Sequence, residues 1–137
     1  MDTELRRNLV EKLRGQEPPL LVSLEDFFSG NDDQASIGCN LTRHPGLTVF
    51  HDVLQQIRAK PNVQDVLIEI TDLQEDDDTS WPFSDVVYIL ADARRDEVEQ
   101  WLQKLSPDES PEASADDAVC TILQLRPGMK VFVAWWD

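Results

Sequence analysis

The chain has 137 residues, which is enough for one domain of common size that buries a core without disulfides or metals. Its 27 acidic residues outnumber the 12 lysines and arginines, and the formal net charge of -15 disfavours binding to nucleic acid and to anionic membranes. No apolar run approaches the ~20 residues that span a bilayer. Such acidity indicates solubility first and a basic partner second.

Two cysteines lie far apart in the sequence, and the chain opens with Met-Asp-Thr-Glu rather than with the apolar stretch of a secretion signal. We therefore expect a cytoplasmic protein with free thiols at Cys39 and Cys120. A disulfide between them stays an alternative, because sequence does not give their separation.

The chain is predicted to be a single domain over residues 1–137, with an N-terminal helix and linker in residues 1–19 and an α+β body in residues 20–137. Leu5, Leu9 and Leu13 recur every four residues, which is typical of an amphipathic helix. This helix is slightly basic, so we expect it to dock against the acidic body.

The body begins with the weakest strand signal, in residues 36–41, where Ile37, Cys39 and Leu41 alternate with small or polar residues. This alternation predicts that Cys39 faces the core. An amphipathic helix is then predicted from Pro45 to Lys60 and a half-buried strand from Val63 to Thr71.

An acidic loop in residues 73–80 precedes a strand in residues 85–91 that is apolar on both faces. A second amphipathic helix is predicted from Arg94 to Leu105. Residues 106–117 have the composition of a mobile acidic loop, residues 118–125 fit either a strand or a short helix, and residues 129–136 alternate as a last strand.

The resulting order, βαββαβ, predicts an α+β fold, specifically a ferredoxin-like two-layer sandwich. Its sheet would be antiparallel, with both long helices on one face. The N-terminal helix and an acidic insertion before the last strand would be additions to that fold.

The most site-like cluster consists of Asn31, Asp32 and Asp33, which follow a glycine and carry oxygen atoms that a hard cation accepts. Together with Asn40 and His44 they would form a ligand or cation site at the end of a central strand. The spacing of a calcium loop is absent, and Asn and Asp are common in turns, so turn chemistry is the favoured interpretation. No motif of a nucleophile, a zinc site or a phosphate loop occurs, so we predict no catalytic residue, metal or cofactor.

Four aromatic residues form a candidate partner surface. Trp81 and Phe83 lie between the acidic loop and a strand, and Trp135 and Trp136 nearly end the chain. Adjacent residues of a strand face opposite ways, so Trp135 and Trp136 cannot share one core layer. One of them needs another cover, either from the chain itself or from a partner.

Residues 30–33, 36–41, 44–46, 81–85 and 135–137 carry short motifs (GNDD, SIGCNL, HPG, WPFSD and WWD). This pattern resembles a family of small acidic bacterial proteins without an assigned function, over residues 21–137. The resemblance implies a bacterial, cytoplasmic, stand-alone domain and no activity.

The sequence does not determine the function. It favours a non-enzymatic interaction or regulatory module, similar in kind to an inhibitor or immunity protein, that binds a protein partner, preferably a basic one. A weak homodimer through the edge formed by the C-terminal strand and the loop from Trp81 to Phe83 is an alternative mode of assembly. The alternative function is a small-ligand or divalent-metal-binding protein, or an enzyme, with its site around the loop of residues 31–33.

Overall fold

Apolar residues at helical and alternating spacing produce five helices and four strands in the computed structural model, which describes residues 1–137. The helices are α1 (Thr3–Leu13), α2 (Leu24–Phe28), α3 (Leu47–Arg58), α4 (Arg95–Trp101) and α5 (Ala118–Ile122). The strands are β1 (Leu20–Val22), β2 (Val63–Ile70), β3 (Val86–Ala91) and β4 (Lys130–Trp135). Short 3₁₀ turns cover Gln34–Ser36 and Gln103–Leu105. None of the helices has the length and apolar character to cross a bilayer.

The four strands form one antiparallel sheet in the order β1-β2-β3-β4. This confirms the predicted α+β class and the antiparallel sheet. The ferredoxin-like topology is not confirmed, because that fold requires its first and third strands at the centre, whereas here β1 lies at an edge and pairs antiparallel with β2.

One face of the sheet, the helical face, carries the main core. Ile68 and Ile89 on this face are fully buried, as are Phe50 and Leu54 of α3 and Leu102 just after α4, and all belong to one cluster of 26 buried residues. Helix α3 and the residue that follows α4 therefore contribute to the same buried cluster as this face of the sheet.

The predicted strand in residues 36–41 is wrong. Its residues form the end of a 3₁₀ turn, one isolated bridge from Ile37 to Ser84, and a further turn. Gly38 adopts φ +65°, and a Cβ atom there would lie 2.8 Å from Cζ of Phe50. Such backbone leaves the sheet and turns over the core. Cys39 is consequently exposed rather than directed inward. The first strand is β1, whose three residues are too few to show an alternating pattern.

Helix α1 docks on the body, as its basic character predicts. Arg6 is buried, and its guanidinium donates to the backbone carbonyls of Gln74, Asp77 and Ser80 at 2.5 to 2.8 Å. The buried guanidinium of Arg6 therefore links the acidic loop before β3 to α1 by hydrogen bonds.

The second face of the sheet is covered by a segment that we call the strap, residues 108–126. Its first part pairs with the outer edge of β4: Trp135 donates its amide to Glu109 O, and Val133 donates to Pro111 O at 2.9 Å. The stretch predicted as a mobile loop is thus hydrogen-bonded. The ambiguous stretch after it forms the helix α5, and Gln64 fixes the far end of the strap through Gln124 O and the Arg126 amide.

Candidate functional site

The strap covers the second face of the sheet only in part. Under α5 lies a small cluster of buried residues, Tyr88, Leu90, Val119 and Val131. Beside it, between the strap and the prolines that precede β1, a groove of about 560 Å³ remains open. Its volume falls within the range of small-ligand sites, roughly 300–1,000 Å³.

Strand register builds the floor of this groove. Glu69, Val86 and Trp135 occupy one row across β2, β3 and β4, and Tyr88 and Val133 occupy the adjacent row. Glu69 and Trp135 are two strands apart, so their backbones are separated by about 10 Å. The floor therefore presents an acidic end and an aromatic end with a phenol between them.

Glu69 and Tyr88 are diagonal neighbours across β2 and β3, a relation that long side chains can bridge. The Tyr88 hydroxyl donates to Glu69 Oε1 at 2.5 Å. Burial raises the pKa of Tyr88, and the hydrogen bond to Glu69 raises it further. Tyr88 consequently stays a protonated donor at neutral pH.

The rim adds two more carboxylates, Glu112 and Asp117, while Pro18, Pro19 and Pro111 supply rigid apolar walls. None of the twelve lining residues is Lys, Arg or His. The charge of Asp117 also raises the pKa of Tyr88, after burial and Glu69.

An apolar aromatic floor with acidic ends suits an organic cation that carries an apolar stem. The faces of Trp and Tyr rings attract cations by about 0.5–2 kcal/mol, and carboxylates attract them at longer range. No group of three His, Cys, Asp or Glu side chains anywhere in the chain is arranged to hold a metal ion. Neither cysteine lines the groove.

The predicted cation loop is occupied by turn hydrogen bonds. Asn31 donates to Ser36 Oγ at 3.0 Å and accepts from the Asp33 amide at 2.9 Å. The Asp33 carboxylate accepts from the amides of Ala35 and Trp81. These bonds are those of capping and turn residues, the interpretation that the sequence favours.

The other residues of that predicted site make separate contacts. Asp32 is exposed and pairs with the Met1 amine at 2.7 Å, and Asn40 is exposed. His44 accepts from the Gly46 amide at Nδ1, so its Nε2 carries the proton that it donates to Ile37 O at 2.7 Å. A cavity of about 250 Å³ beside the loop touches Asp33 but not Asn40 or His44. A cation or ligand role for this loop stays a prediction.

The four aromatic residues of the predicted partner surface separate into two pairs. Trp81 and Trp136 are buried, and Trp136 packs against Phe50 and donates its indole N–H to Leu105 O at 2.8 Å. They therefore pack inside the fold. Phe83 and Trp135 are partly exposed, and Trp135 lies in the groove. Trp135 and Trp136 do face opposite sides of the sheet.

The sequence did not single out Glu69 or Tyr88. Glu69 reads as one polar residue on the wet side of a strand, and Tyr88 as part of a buried strand. The signal that could have connected them is the alternation itself, since both fall on the face opposite the main core once β2 and β3 are paired antiparallel.

Comparison with known proteins gives a family and no activity. The model of the "Uncharacterized protein YfbO family" matches residues 4–134. A relative called "Uncharacterized protein YfbO" from Escherichia coli (strain K12) is 36% identical over 121 residues, which cover 88% of this chain and 84% of the relative. No solved structure matches. Because the match extends over nearly the whole chain, the protein belongs to the YfbO family.

Proposed function

We propose that this protein is a non-enzymatic interaction module that takes a cationic side chain of a basic partner protein into the groove between the sheet and the strap. The observation that carries the proposal is a cavity of about 560 Å³ that combines Tyr88 and Trp135 with three carboxylates and no basic residue.

The charge of the whole chain supports the same partner. A formal charge of -15 steers a basic protein towards the surface and repels an acidic one. Inside the groove the apolar walls then accept the methylene stem of a lysine or arginine, while the carboxylates receive its charged end.

We favour a basic partner over the alternative of a homodimer through the C-terminal strand. That prediction rested on an open edge at β4, and the strap residues 109–112 already pair with that edge. The same net charge on two copies also opposes self-association. A basic partner that binds at the groove needs no free strand edge.

The test is a titration with the capped tripeptide acetyl-Gly-Lys-Gly-amide, with acetyl-Gly-Gln-Gly-amide as the neutral control, followed by calorimetry or by tryptophan fluorescence. We expect the lysine peptide to bind with a Kd of the order of 1 mM, because one side chain supplies about 4 kcal/mol at most. The neutral peptide should bind at least about fivefold more weakly.

Two matched variants separate the groove from the general charge of the protein. Glu112→Gln removes a charge from the rim and should weaken the lysine peptide roughly threefold, whereas Glu11→Gln removes the same charge from the exposed side of α1 and should leave Kd within about a factor of 1.5. Equal effects of the two variants, or equal binding of the lysine and glutamine peptides, would contradict the proposal.

A further inference from the structure

The hydrogen bond from Tyr88 makes the two carboxylate oxygens of Glu69 different. Oε1 receives the Tyr88 hydroxyl at 2.5 Å, and Oε2 accepts no hydrogen bond from the protein. Since Glu69 is only half-buried and lines the groove, its second oxygen is available to a ligand.

The two cationic side chains use a carboxylate differently. A guanidinium binds most strongly in a fork, with parallel N–H bonds to both oxygens, while an ammonium is a compact charge that is satisfied by one oxygen. The Tyr88 hydroxyl already occupies one lone-pair site of Oε1. A guanidinium fork would have to share that oxygen with the phenol, whereas the single bond of an ammonium to Oε2 would not.

We propose that Tyr88 makes the groove selective for lysine over arginine, by holding one oxygen of Glu69 and leaving the other for an ammonium group. This inference rests on the proposed function. Glu69 would bind the ammonium group directly, and Tyr88 is a positioning residue that acts through Glu69.

The surroundings of Glu69 agree with this division of roles. Tyr88 is 8% exposed, so its ring is fixed in the floor and its hydroxyl has little freedom to turn away. The carboxylates of Glu112 and Asp117 also line the groove and add negative charge for an ammonium group. Burial and the bond to Glu69 both keep the phenol protonated, so its role as donor persists over the neutral pH range.

The experiment compares acetyl-Gly-Lys-Gly-amide with acetyl-Gly-Arg-Gly-amide on the whole chain. For the wild type we expect the lysine peptide to bind roughly three- to tenfold more tightly. Tyr88→Phe frees Oε1 at nearly constant shape, so the ratio should fall to about one or reverse, chiefly through tighter binding of the arginine peptide.

Glu69→Asp is the second variant, which keeps the charge but withdraws it by one methylene from Tyr88. It should also abolish the preference, and it keeps the inference testable if Tyr88→Phe does not fold. Circular dichroism verifies the fold of each variant. A wild type that binds both peptides equally would overturn the selectivity while leaving the proposed function intact. A preference that survives both variants would overturn the role of Tyr88, and no binding of either peptide would overturn both proposals.

Discussion

At Gly38 one added methyl group should be costly, because it would meet the buried core. Two effects act there: φ +65° is a conformation that L side chains rarely adopt, and a Cβ would lie 2.8 Å from Cζ of Phe50 and 3.1 Å from Cδ1 of Leu41. The left-handed backbone costs an alanine about 1–2 kcal/mol. Displacement of Phe50, which is 0% exposed, adds about 1–3 kcal/mol from overpacking.

Gly15 provides the matched control for this substitution. It has φ +82°, but nothing lies within 4 Å of a Cβ built on it. Gly15→Ala should therefore cost only the backbone contribution, about 1 kcal/mol, and Gly38→Ala about 3 kcal/mol in total.

Urea unfolding, followed by tryptophan fluorescence, measures both variants. With a slope of about 2 kcal/mol/M, the Gly38→Ala midpoint should lie about 1 M below that of Gly15→Ala, with the slope unchanged. Equal midpoints for the two variants would show that the close approach of Gly38 to Phe50 does not constrain the fold.

Three further substitutions test contacts elsewhere in the fold. Arg6→Met keeps the buried stem but removes three hydrogen bonds, so the free energy of unfolding should drop by about 2 kcal/mol. Amide hydrogen exchange in residues 74–80 should become faster, and unchanged exchange would contradict the role of Arg6 in holding this loop. Asp33→Ala should lower the free energy of unfolding by about 1–2 kcal/mol, because two amides lose their acceptor. Neither the variant nor the wild type should melt at a higher temperature in Ca²⁺ or Mg²⁺. A metal-induced rise in melting temperature that is lost in the variant would instead favour the cation loop. The Arg58 guanidinium, through its hydrogen bond, lowers the pKa of Glu25. This ion pair therefore adds stability above the pKa of Glu25 in the unfolded chain, and that stability is lost as pH falls through the pKa in the folded chain. Arg58→Gln should make the free energy of unfolding depend less on pH between about pH 5 and pH 3, and an unchanged pH dependence would contradict a contribution of this pair.

The elements with long periodic patterns could be predicted from the sequence. The stripe that includes Phe50 and Leu54 lies on α3, and the alternation of Val66, Ile68 and Ile70 places β2 with one face in the core. These patterns are local consequences of burying one face, so they need no knowledge of the partner element.

Short elements and strand order could not be predicted in the same way. Residues 36–41 alternate like a strand, yet Gly38 turns the chain, and the three residues of β1 carry too little pattern to compete with that signal. The ferredoxin-like order depends on residues 36–41 as the first strand, whereas the first strand of the sheet is β1.

The groove depends on long-range register, which a single sequence does not reveal. Glu69 and Tyr88 are 19 residues apart and meet only through the pairing of β2 with β3, and Trp135 joins them through β4. The loop of residues 31–33, by contrast, drew attention through local composition that turn hydrogen bonds account for.

A ¹H–¹⁵N NMR titration with acetyl-Gly-Lys-Gly-amide tests the central claim most directly, since it locates a bound lysine on the sheet. Four tryptophans give four indole N–H signals, of which Trp135 alone lines the groove. If lysine binds in the groove, we expect saturable shifts of the Trp135 indole and of the Tyr88 and Val133 amides, while the buried indoles of Trp81 and Trp136 stay unmoved. Shifts that spread evenly over the acidic surface, or that centre on residues 31–33 and spare Trp135, would contradict it.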